Sequence, residues 1–410
     1  MQGETKMNIK KQTGLLYLYE ALICFRMVDV VWVLFLLDRG YSLTQVGIAE
    51  GIYHVTSMIC EVPSGMAADL FGRKRSLVLS GIAGMVSGVL MSLDGFIGWI
   101  YLGMIFSALS LNLISGTDEA LTYDSLLEAG CEGEFKRVKS GMSVLGRVFS
   151  ALSCTLSPVA IALGYRYTYW LTVVVNGCGI LTVLGLKEPV VTETQKERTE
   201  YSFRKTGTRM KNHIRETFVF IMRHPRTMAK VFAGAAAACP CYLTMMYLQE
   251  HLVSCGWPKS WIGIPMLLIP LSGAFGAWLA GKCHGRLFYT MLVCGILGGV
   301  GTCLAGSLLL GVSVAGACVV RICEGFSEIM VSENVNRDFT SDQRATLVSV
   351  DSLFYSVLMV IASPVTGYLG SHYSMQLMFG VLGGVMLVSA VLLGILYRWR
   401  QAVLSSPFLR

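Results

Sequence analysis

Twelve long apolar runs, spread over the whole chain, constrain the fold more than any other feature of this sequence. Each run is close to the ~20 residues that a helix needs to cross the hydrocarbon core of a bilayer. Their approximate bounds are 15–37, 44–68, 76–92, 97–117, 141–163, 169–186, 228–248, 261–281, 288–310, 314–332, 345–369 and 374–397. Because the runs are continuous and do not alternate with polar residues, they predict transmembrane helices and exclude a transmembrane β-barrel.

Composition places the chain in a membrane. Of its 410 residues, 54% are hydrophobic and only 14% are charged, whereas a soluble domain carries about a quarter charged residues. The first span contains Glu20, Arg26 and Asp29 and lacks a small-residue cleavage site, so it is not a cleaved signal peptide. We therefore predict an all-α membrane protein with twelve transmembrane helices.

Basic residues predict the orientation of these helices. If the N-terminus is cytoplasmic, 27 of the 33 Lys and Arg residues fall in cytoplasmic segments, and only Arg39, Arg166 and Lys259 fall in external loops. This asymmetry places both termini in the cytoplasm. The net charge of +7 thus reflects topology, and we expect no binding of nucleic acid.

The chain divides into two similar halves. Residues 187–227 are polar and basic and separate six spans from six. The predicted domains are an N-terminal segment 1–14, a six-helix bundle 15–186, a linker 187–227, a second bundle 228–397 and a tail 398–410. Within the linker, Ile214, Phe218 and Ile221 have the spacing of an interfacial amphipathic helix, and a solvated helix is the alternative.

Two pairs of matching segments indicate that the halves are duplicates. "SPVAIALG" at 157–164 matches "SPVTGYLG" at 363–370, and "NLISGTDE" at 112–119 aligns with "RICEGFSE" at 321–328. The second alignment pairs Gly116 with Gly325 and Glu119 with Glu328. Two pseudo-symmetric six-helix bundles with a binding site near the midplane are the architecture of secondary transporters.

A short motif lies at the end of span two and in the loop that follows it, within "EVPSGMAADLFGRKRSL" at 61–77. Gly72 permits a tight reversal, and three basic residues follow it. Asp69 places a negative charge at a helix C-terminus, where the helix dipole disfavours it, so we expect a cationic or helix N-terminal partner. The motif consists of Gly65, Ala68, Asp69, Gly72, Arg73, Lys74 and Leu77.

This pattern resembles the loop 2–3 signature of the major facilitator superfamily. The chain departs from that signature at Ala67, Leu70 and Ser76. The resemblance extends to the twelve spans, the basic central loop and the duplicated halves, so it implies the major facilitator fold. The residues that it assigns to a cytoplasmic gate are Gly65, Asp69, Gly72, Arg73 and Lys74. It implies that Asp69 and Arg73 latch helices in the outward-facing state, and a charge cluster that only fixes topology is the alternative.

Signatures of drug–proton antiporters in the same family are incomplete here. Asn112 stands in span four where those antiporters have arginine, whereas the second half carries the arginine, as Arg321. The glycine-rich motif of span five keeps only its proline. Glu61 and Pro63, just before the loop motif, resemble one branch of tetracycline exporters.

Four polar residues form a stripe on span two. Glu50, His54, Ser57 and Glu61 lie at positions i, i+4, i+7 and i+11, on one face of a helix. Each ionised group facing lipid would cost ~2.5–3.5 kcal/mol or more, so the stripe must face the interior of the bundle or a water-filled cavity. We expect Glu61, Glu50 and His54 to carry protons; a structural polar network between helices is the alternative.

Other intramembrane charges are candidates for a substrate cavity. These candidates are Arg26, Asp29, Asn112, Glu119, Arg321, Glu324 and Glu328. Arg26 and Asp29 are three residues apart and can neutralise each other. Asp118 and Glu119 are positioned to form a salt bridge with Arg147. The three candidates in span ten share one face of that helix.

The 13 cysteines are an odd number and lie mostly inside spans, so we expect no disulfide framework. The "CPC" at Cys239–Cys241 resembles a soft-metal motif. Because the sequence places no Cys, Met and His cluster beside it, we interpret it as a proline-distorted helix and expect no metal site.

Together these features predict a secondary active transporter that exports lipophilic small molecules, such as drugs or tetracycline-like compounds, in exchange for protons. Proton-coupled uptake or exchange of a metabolite is the alternative. A membrane enzyme or receptor is disfavoured, because the sequence shows no nucleophile–base pair, phosphate loop, metal-ligand set or sensory domain. We expect a monomer in a bacterial plasma membrane, with a small-molecule substrate and protons as its partners and no cofactor.

Overall fold

The structure is a computed structural model that describes residues 8–189, 219–283, 287–336 and 341–405. The described chain is almost entirely α-helical. The predicted linker helix, with Ile214 and Phe218, lies outside the described residues.

Nine α-helices build the first six spans. They are α1 (Ile9–Cys24) and α2 (Val28–Asp38) in span one, α3 (Leu43–Phe71) in span two, α4 (Arg73–Ser92) in span three, α5 (Ile97–Ile114) and α6 (Thr117–Glu128) in span four, α7 (Phe135–Thr155) and α8 (Ser157–Leu163) in span five, and α9 (Tyr165–Leu184) in span six. A 3₁₀ turn, Glu132–Glu134, precedes α7. Spans one, four and five are therefore each interrupted once.

In the described part of the second half, six helices build the last six spans, one for each span. They are α10 (Pro225–Ser254), α11 (Gly263–Ala280), α12 (Leu287–Ala305), α13 (Leu310–Asn336), α14 (Ser341–His372) and α15 (Met375–Ser405). Prolines lie inside three of them, as Pro240, Pro270 and Pro364. Pro240, the proline of the "CPC" stretch, thus lies inside the continuous helix α10.

Eight segments of the described chain are long and apolar enough to cross a membrane. They coincide with predicted spans three, four, six to nine, eleven and twelve. The helices of spans one, two, five and ten do not meet these requirements of length and apolar composition. They carry charged residues, such as Arg26, Glu50, Arg147 and Arg321. Since charge facing lipid is costly, these four spans are the ones that must turn their polar faces inward.

Helix α15 shows how the apolar spans meet lipid. Val381, Val385, Val388 and Leu392 are four or three residues apart and are all at least 40% exposed. Met386, on the other face, is 6% exposed. A helix that is apolar all round and leaves one face uncovered is suited to hydrocarbon on that face and protein on the other.

The described residues fall into two compact units, one of residues 8–32 with 52–189 and 219–220, and one of residues 33–51 with the described residues from 221 onward. Equivalent helices pair inside each unit. Spans one and five pack together in the first unit and spans seven and eleven in the second, and the pairings of spans three with six and nine with twelve also correspond. The predicted fold class, an all-α membrane protein of two similar bundles, is confirmed, and the boundaries of the predicted domains stay a prediction.

The second unit includes the start of α3, which packs tightly on α14. A side chain at Gly47 would collide with the backbone carbonyl of Ser363, and one at Gly367 would collide with the carbonyl of Leu43. The backbone N–H of Thr44 donates to Ser371 Oγ at 2.9 Å. Only glycine allows this backbone approach between spans two and eleven.

Candidate functional site

The turn between α3 and α4 has the geometry that its sequence motif predicts. Gly72 has φ +99°, a conformation that residues with a Cβ rarely adopt, and it directly precedes Arg73, the first residue of α4. The neighbourhood of Gly65 is open. The side chain of Asp69 lies outside the described part of the structure, so the expected partner of Asp69 stays a prediction.

Glu188 caps the N-terminus of α4. Its two carboxylate oxygens accept the backbone N–H groups of Arg73 and Lys74, at 2.8 and 2.7 Å. These N–H groups have no partner within the helix, and a carboxylate at this end also interacts favourably with the helix dipole. Glu188 was not among the residues predicted from the sequence; an acid immediately after span six, in "LKEP" at 186–189, was the signal that could have revealed it.

The basic residues of the motif bind inside the first unit. The guanidinium of Arg73 forms an ion pair with Asp124 and donates to the carbonyl of Ala120. Lys74 donates from Nζ to the carbonyls of Leu184 and Leu186, each at 2.7 Å. The loop motif therefore connects the start of α4 to α6 and to the end of α9.

Gln12 extends this network to α1. Its side-chain amide donates to Ser125 Oγ at 3.0 Å and to the carbonyl of Lys187 at 2.9 Å, and its oxygen accepts the N–H of Lys187 at 3.0 Å. Gln12 is 3% exposed. We call the connected ends of α1, α4, α6 and α9 the end network.

The polar stripe of span two lies on one continuous helix, α3, as predicted. Glu50 and His54 are buried, at 3% and 6% exposure, and the ring of His54 meets Tyr53 edge-on with 5.2 Å between centroids. Glu61 is half-buried. Two of the three candidates for proton coupling are thus buried, and Glu61 is partly accessible.

Asn112 is hydrogen-bonded to Ser57, one of the residues of that stripe. Ser57 Oγ donates to Asn112 Oδ1 at 2.9 Å, and Asn112 Nδ2 donates to the carbonyl of Ser57 at 2.7 Å. The two hydrogen bonds join α3 to α5. They engage the Asn112 amide through both its oxygen and its nitrogen, which favours a structural polar contact here over a substrate ligand.

Arg26 and Asp29 form the predicted ion pair, with 2.9 Å between Nε and Oδ2, at the interruption of span one. The expected salt bridge of Asp118 and Glu119 forms with a different partner. Lys139 Nζ lies 3.8 Å from Asp118 and 3.1 Å from Glu119. The predicted salt bridge with Arg147 was wrong. A new helix, α6, begins after Gly116, and its first turn lies beside the start of α7. The side chain of Arg147 is exposed.

A cavity of about 500 Å³ lies inside the second unit, among α10, α12, α13, α14 and α15. Its walls are mostly small, apolar or aromatic, with Ala, Val, Met and two tyrosines, Tyr242 and Tyr355. Three carboxyl groups open into it, those of Glu324, Glu328 and Asp351. Glu324 is paired with Arg321 on the same helix. The structure thus places two of the three span-ten candidates, Glu324 and Glu328, at one cavity, and Arg321 reaches it only through its ion pair with Glu324.

Asp351, Tyr242 and Tyr355 were missed by the sequence analysis. Asp351 lies within predicted span eleven, so the rule that selected Glu324 and Glu328, an acid inside a membrane span, would have selected it as well. The tyrosines carry no signal in the sequence that distinguishes them from aromatic residues facing lipid.

Comparison with known proteins agrees with this architecture. The family model described as Major Facilitator Superfamily matches residues 21–336 and 277–409. An uncharacterized MFS-type transporter of Bacillus subtilis, YxaM, is 22% identical over 372 residues, which cover 88% of this chain and 90% of that protein. The inner membrane transport protein YajR of Escherichia coli is 20% identical over 363 residues, covering 86% and 74%.

Solved structures of transporters share the fold. The nucleoside transporter NupG superposes with a TM-score of 0.73 at 12% identity, covering 95% of this chain and 99% of that one. A POT family transporter in complex with 5-aminolevulinic acid gives a TM-score of 0.69 at 13% identity, with coverage of 95% and 99%.

Proposed function

Because the chain belongs to the major facilitator superfamily, and is a multi-pass membrane transporter and not an enzyme, we propose that it exports lipophilic small molecules in exchange for protons. Both termini lie in the cytoplasm in this proposal, and the host membrane is a bacterial plasma membrane. The bundles 15–186 and 228–397 alternate access to the substrate, and the protein works as a monomer.

The cavity of the second unit is the observation that carries this proposal. Its volume of about 500 Å³ is in the range of sites that take small organic molecules, roughly 300–1,000 Å³. Apolar and aromatic walls with a few polar groups favour a lipophilic ligand. Carboxyl groups inside a membrane protein commonly belong to ion pathways or proton relays, and here three of them face that same space.

The charges of the cavity favour exchange. Arg321 neutralises Glu324, whereas Glu328 and Asp351 place two further acids at the same cavity, and two negative charges there repel each other. A proton on either carboxyl group, or a substrate with a positive centre, removes that repulsion. Because both relieve the same repulsion, proton and substrate compete for the site, and competition between two ligands for one site is what antiport requires.

The coupling energy is sufficient for accumulation. One proton moving down a potential of 100 mV releases ~2.3 kcal/mol, which supports roughly a fiftyfold concentration ratio. In this proposal Glu61, Glu50 and His54 of the polar stripe form the second proton-carrying group, and Gly65, Asp69, Gly72, Arg73 and Lys74 form the gate.

Everted membrane vesicles test the proposal. Respiration acidifies their interior, and the proposed cytoplasmic face is outside, so a pH dye reports proton release when an exported compound is added from a panel of drugs and metabolites. We expect release with one or more lipophilic compounds, and loss of at least tenfold in Glu328→Gln and Asp351→Asn. The matched control is Glu132→Gln, at an exposed acid in the turn before α7, which should leave the response unchanged.

Two outcomes count against antiport. Proton entry together with substrate, and no release on its addition, would support the alternative of proton-coupled uptake. A full response in both acid variants would place the coupling outside the cavity, in the polar stripe.

A further inference from the structure

The cavity of the second unit carries more acidic than basic side chains. Glu324, Glu328 and Asp351 line it, and none of its described lining residues is Lys, Arg or His. Arg321 reaches the cavity only as the ion-pair partner of Glu324, so it neutralises that one carboxylate. Glu328 of α13 and Asp351 of α14 therefore lie at one cavity whose described walls supply no cation to balance them.

The same walls offer a ligand few hydrogen-bond donors. The hydroxyl of Ser327 already donates to the carbonyl of Glu324, three residues earlier in its own helix, at 3.0 Å. The other described lining residues, apart from the acids, are Gly, Ala, Val, Met, Cys and Tyr, and thiol and phenol groups are neutral at physiological pH. An anion would find no positive charge here, and a substrate rich in hydrogen-bond acceptors would leave some of them unpaired, which is costly.

Two tyrosines give the cavity an aromatic corner. The ring centroids of Tyr242 on α10 and Tyr355 on α14 lie 6.5 Å apart, with an angle of 88° between the ring planes. Both residues line the cavity together with the acids, and Tyr355 follows Asp351 by about one turn of α14. The face of an aromatic ring attracts a positive centre, most of all one that has been removed from water. Aromatic rings beside uncompensated acids favour an organic cation, which needs no donor from the walls.

We propose that this cavity binds aromatic organic cations, and that each positive charge of the substrate displaces one proton from the pair Glu328 and Asp351. The inference rests on the proposed antiport and adds the substrate class and the proton count. Before substrate binds, one proton removes the repulsion between the two acids, and a second removes the last uncompensated charge from apolar surroundings.

Charge balance then sets the number of protons exchanged. When a positive centre enters, the O–H bond of one carboxyl group breaks, its proton leaves to water, and the carboxylate formed balances the cation. A monocation releases one proton, a dication releases two and a neutral compound releases none. The total charge within the cavity stays the same in each case, so no charge is left uncompensated in apolar surroundings.

Ethidium and propidium are a matched pair of probes, because they share one aromatic ring system and carry one and two permanent positive charges. Neither dye gains or loses a proton near neutral pH, so any proton released comes from the protein. The dyes are titrated into the purified full-length protein in nonionic detergent at mildly acidic pH. Calorimetry in buffers of different ionisation enthalpy counts the protons. At saturation we expect one proton per ethidium and two per propidium.

Variants of the two acids test where the protons come from. Glu328→Gln leaves one ionisable acid of the pair, so propidium at saturation should release one proton in place of two, whereas ethidium should still release one. Asp351→Asn should act in the same way. Both variants should bind propidium at least tenfold more weakly, in keeping with the loss expected in vesicles. Glu132→Gln, at the exposed acid before α7, should keep the counts of the parent protein.

The parent protein alone can overturn the proposal, even if a substitution disturbs folding. Equal proton release by ethidium and propidium would contradict the count and leave the proposed antiport intact. Binding of neither dye, or binding without proton release, would contradict the cation site, and proton release by neutral compounds in vesicles would then show antiport without it. Counts of one and two that persist in both acid variants would show that Glu328 and Asp351 are not the source of the protons.

Discussion

The two halves of the chain pair their helices in the same way but build the equivalent spans differently. Spans one, four and five are interrupted in the first half, after Cys24, Ile114 and Thr155, whereas spans seven, ten and eleven are single helices. The duplicated sequence therefore specifies which helices pack together. It does not specify whether each helix is continuous.

The matched Ser-Pro-Val segments show the physical reason. Pro158 lies at the start of α8, where a residue without an N–H group is tolerated. Pro364 lies inside α14, where it removes a helical hydrogen bond. There the close approach of Gly47 and Gly51 to Ser363 and Pro364 surrounds the proline with another backbone. Tertiary packing, and not the local sequence, decides between a break and a continuous helix.

The halves also differ in what joins their helices. Ion pairs and hydrogen bonds of the end network hold the helix ends in the first half. In the second half, glycine lets backbones touch: side chains at Gly276 and Gly325 would collide with the carbonyls of Ile322 and Gly273. The first half should therefore respond most to lost charge, and the second half to added volume.

The largest effect should follow from breaking the ion pair of the first half. Arg73 and Asp124 have side chains only 17% and 10% exposed. Asp124→Asn leaves the Arg73 charge buried without its partner, which should lower the free energy of unfolding by about 3 kcal/mol. The measurement is SDS titration of the purified protein in mixed micelles.

The matched control for that variant is Asp94→Asn. Its pair with Arg166 has side chains 62% and 54% exposed, and such a surface pair contributes at most about 1 kcal/mol. Equal effects of the two substitutions would show that burial of the ion pair does not stabilise the first half.

Much of the fold was predictable because it depends on local composition. The spans, the reversal at Gly72 and the pair of Arg26 with Asp29 all follow from residues near one another in the chain. The interruptions of three spans, the choice of Lys139 over Arg147 and the cap by Glu188 depend on packing between distant segments, which a single sequence does not show.

The same distinction between local sequence and long-range packing applies to the residues of the candidate site. Glu324 and Glu328 were predictable as acids inside a span, and the structure places both at one cavity. Asp124 was not selected, because predicted span four ended at residue 117 and the helix restarts beyond it. That Cys294 and Cys323 line the same cavity was not predictable, since they come from separate helices, α12 and α13.

A smaller effect should separate two glycines that the repeat aligns, Gly325 and Gly116. At Gly325 an added methyl group collides with the backbone of α11, which cannot move as a side chain can, so Gly325→Ala should cost about 2 kcal/mol and larger residues more. Gly116 has φ +72°, and a Cβ added there would meet nothing within 4 Å, so Gly116→Ala should cost about 1 kcal/mol through backbone strain alone.

Side-chain size distinguishes the two mechanisms. Alanine, serine and leucine at position 116 should have the same cost, and asparagine should be tolerated because it adopts positive φ more readily. At position 325 the cost should rise from alanine to serine to leucine, and asparagine should not be tolerated. A rising cost at both positions would mean that the aligned glycines serve the same purpose, and the proposed difference between the halves would be wrong.

The smallest effect should come from the cap on α4. Glu188→Ala removes the acceptor of two backbone N–H groups and a negative charge at a helix N-terminus, so it should lower the free energy of unfolding by about 1 kcal/mol. Glu188→Gln keeps an acceptor oxygen and should cost less. The matched control is Glu134→Ala, since Glu134 directly precedes α7 but makes no side-chain hydrogen bond to that helix.

Salt separates the two parts of this cap. The interaction of a partly exposed charge with the helix dipole weakens as ionic strength rises, whereas the hydrogen bonds do not depend on it. The difference between the parent and Glu188→Gln should therefore shrink in high salt, and the difference between Glu188→Gln and Glu188→Ala should persist. Since Glu188 directly follows span six, where the basic linker begins, a cap without any measurable effect would mean that the linker is not anchored to the loop motif through this residue.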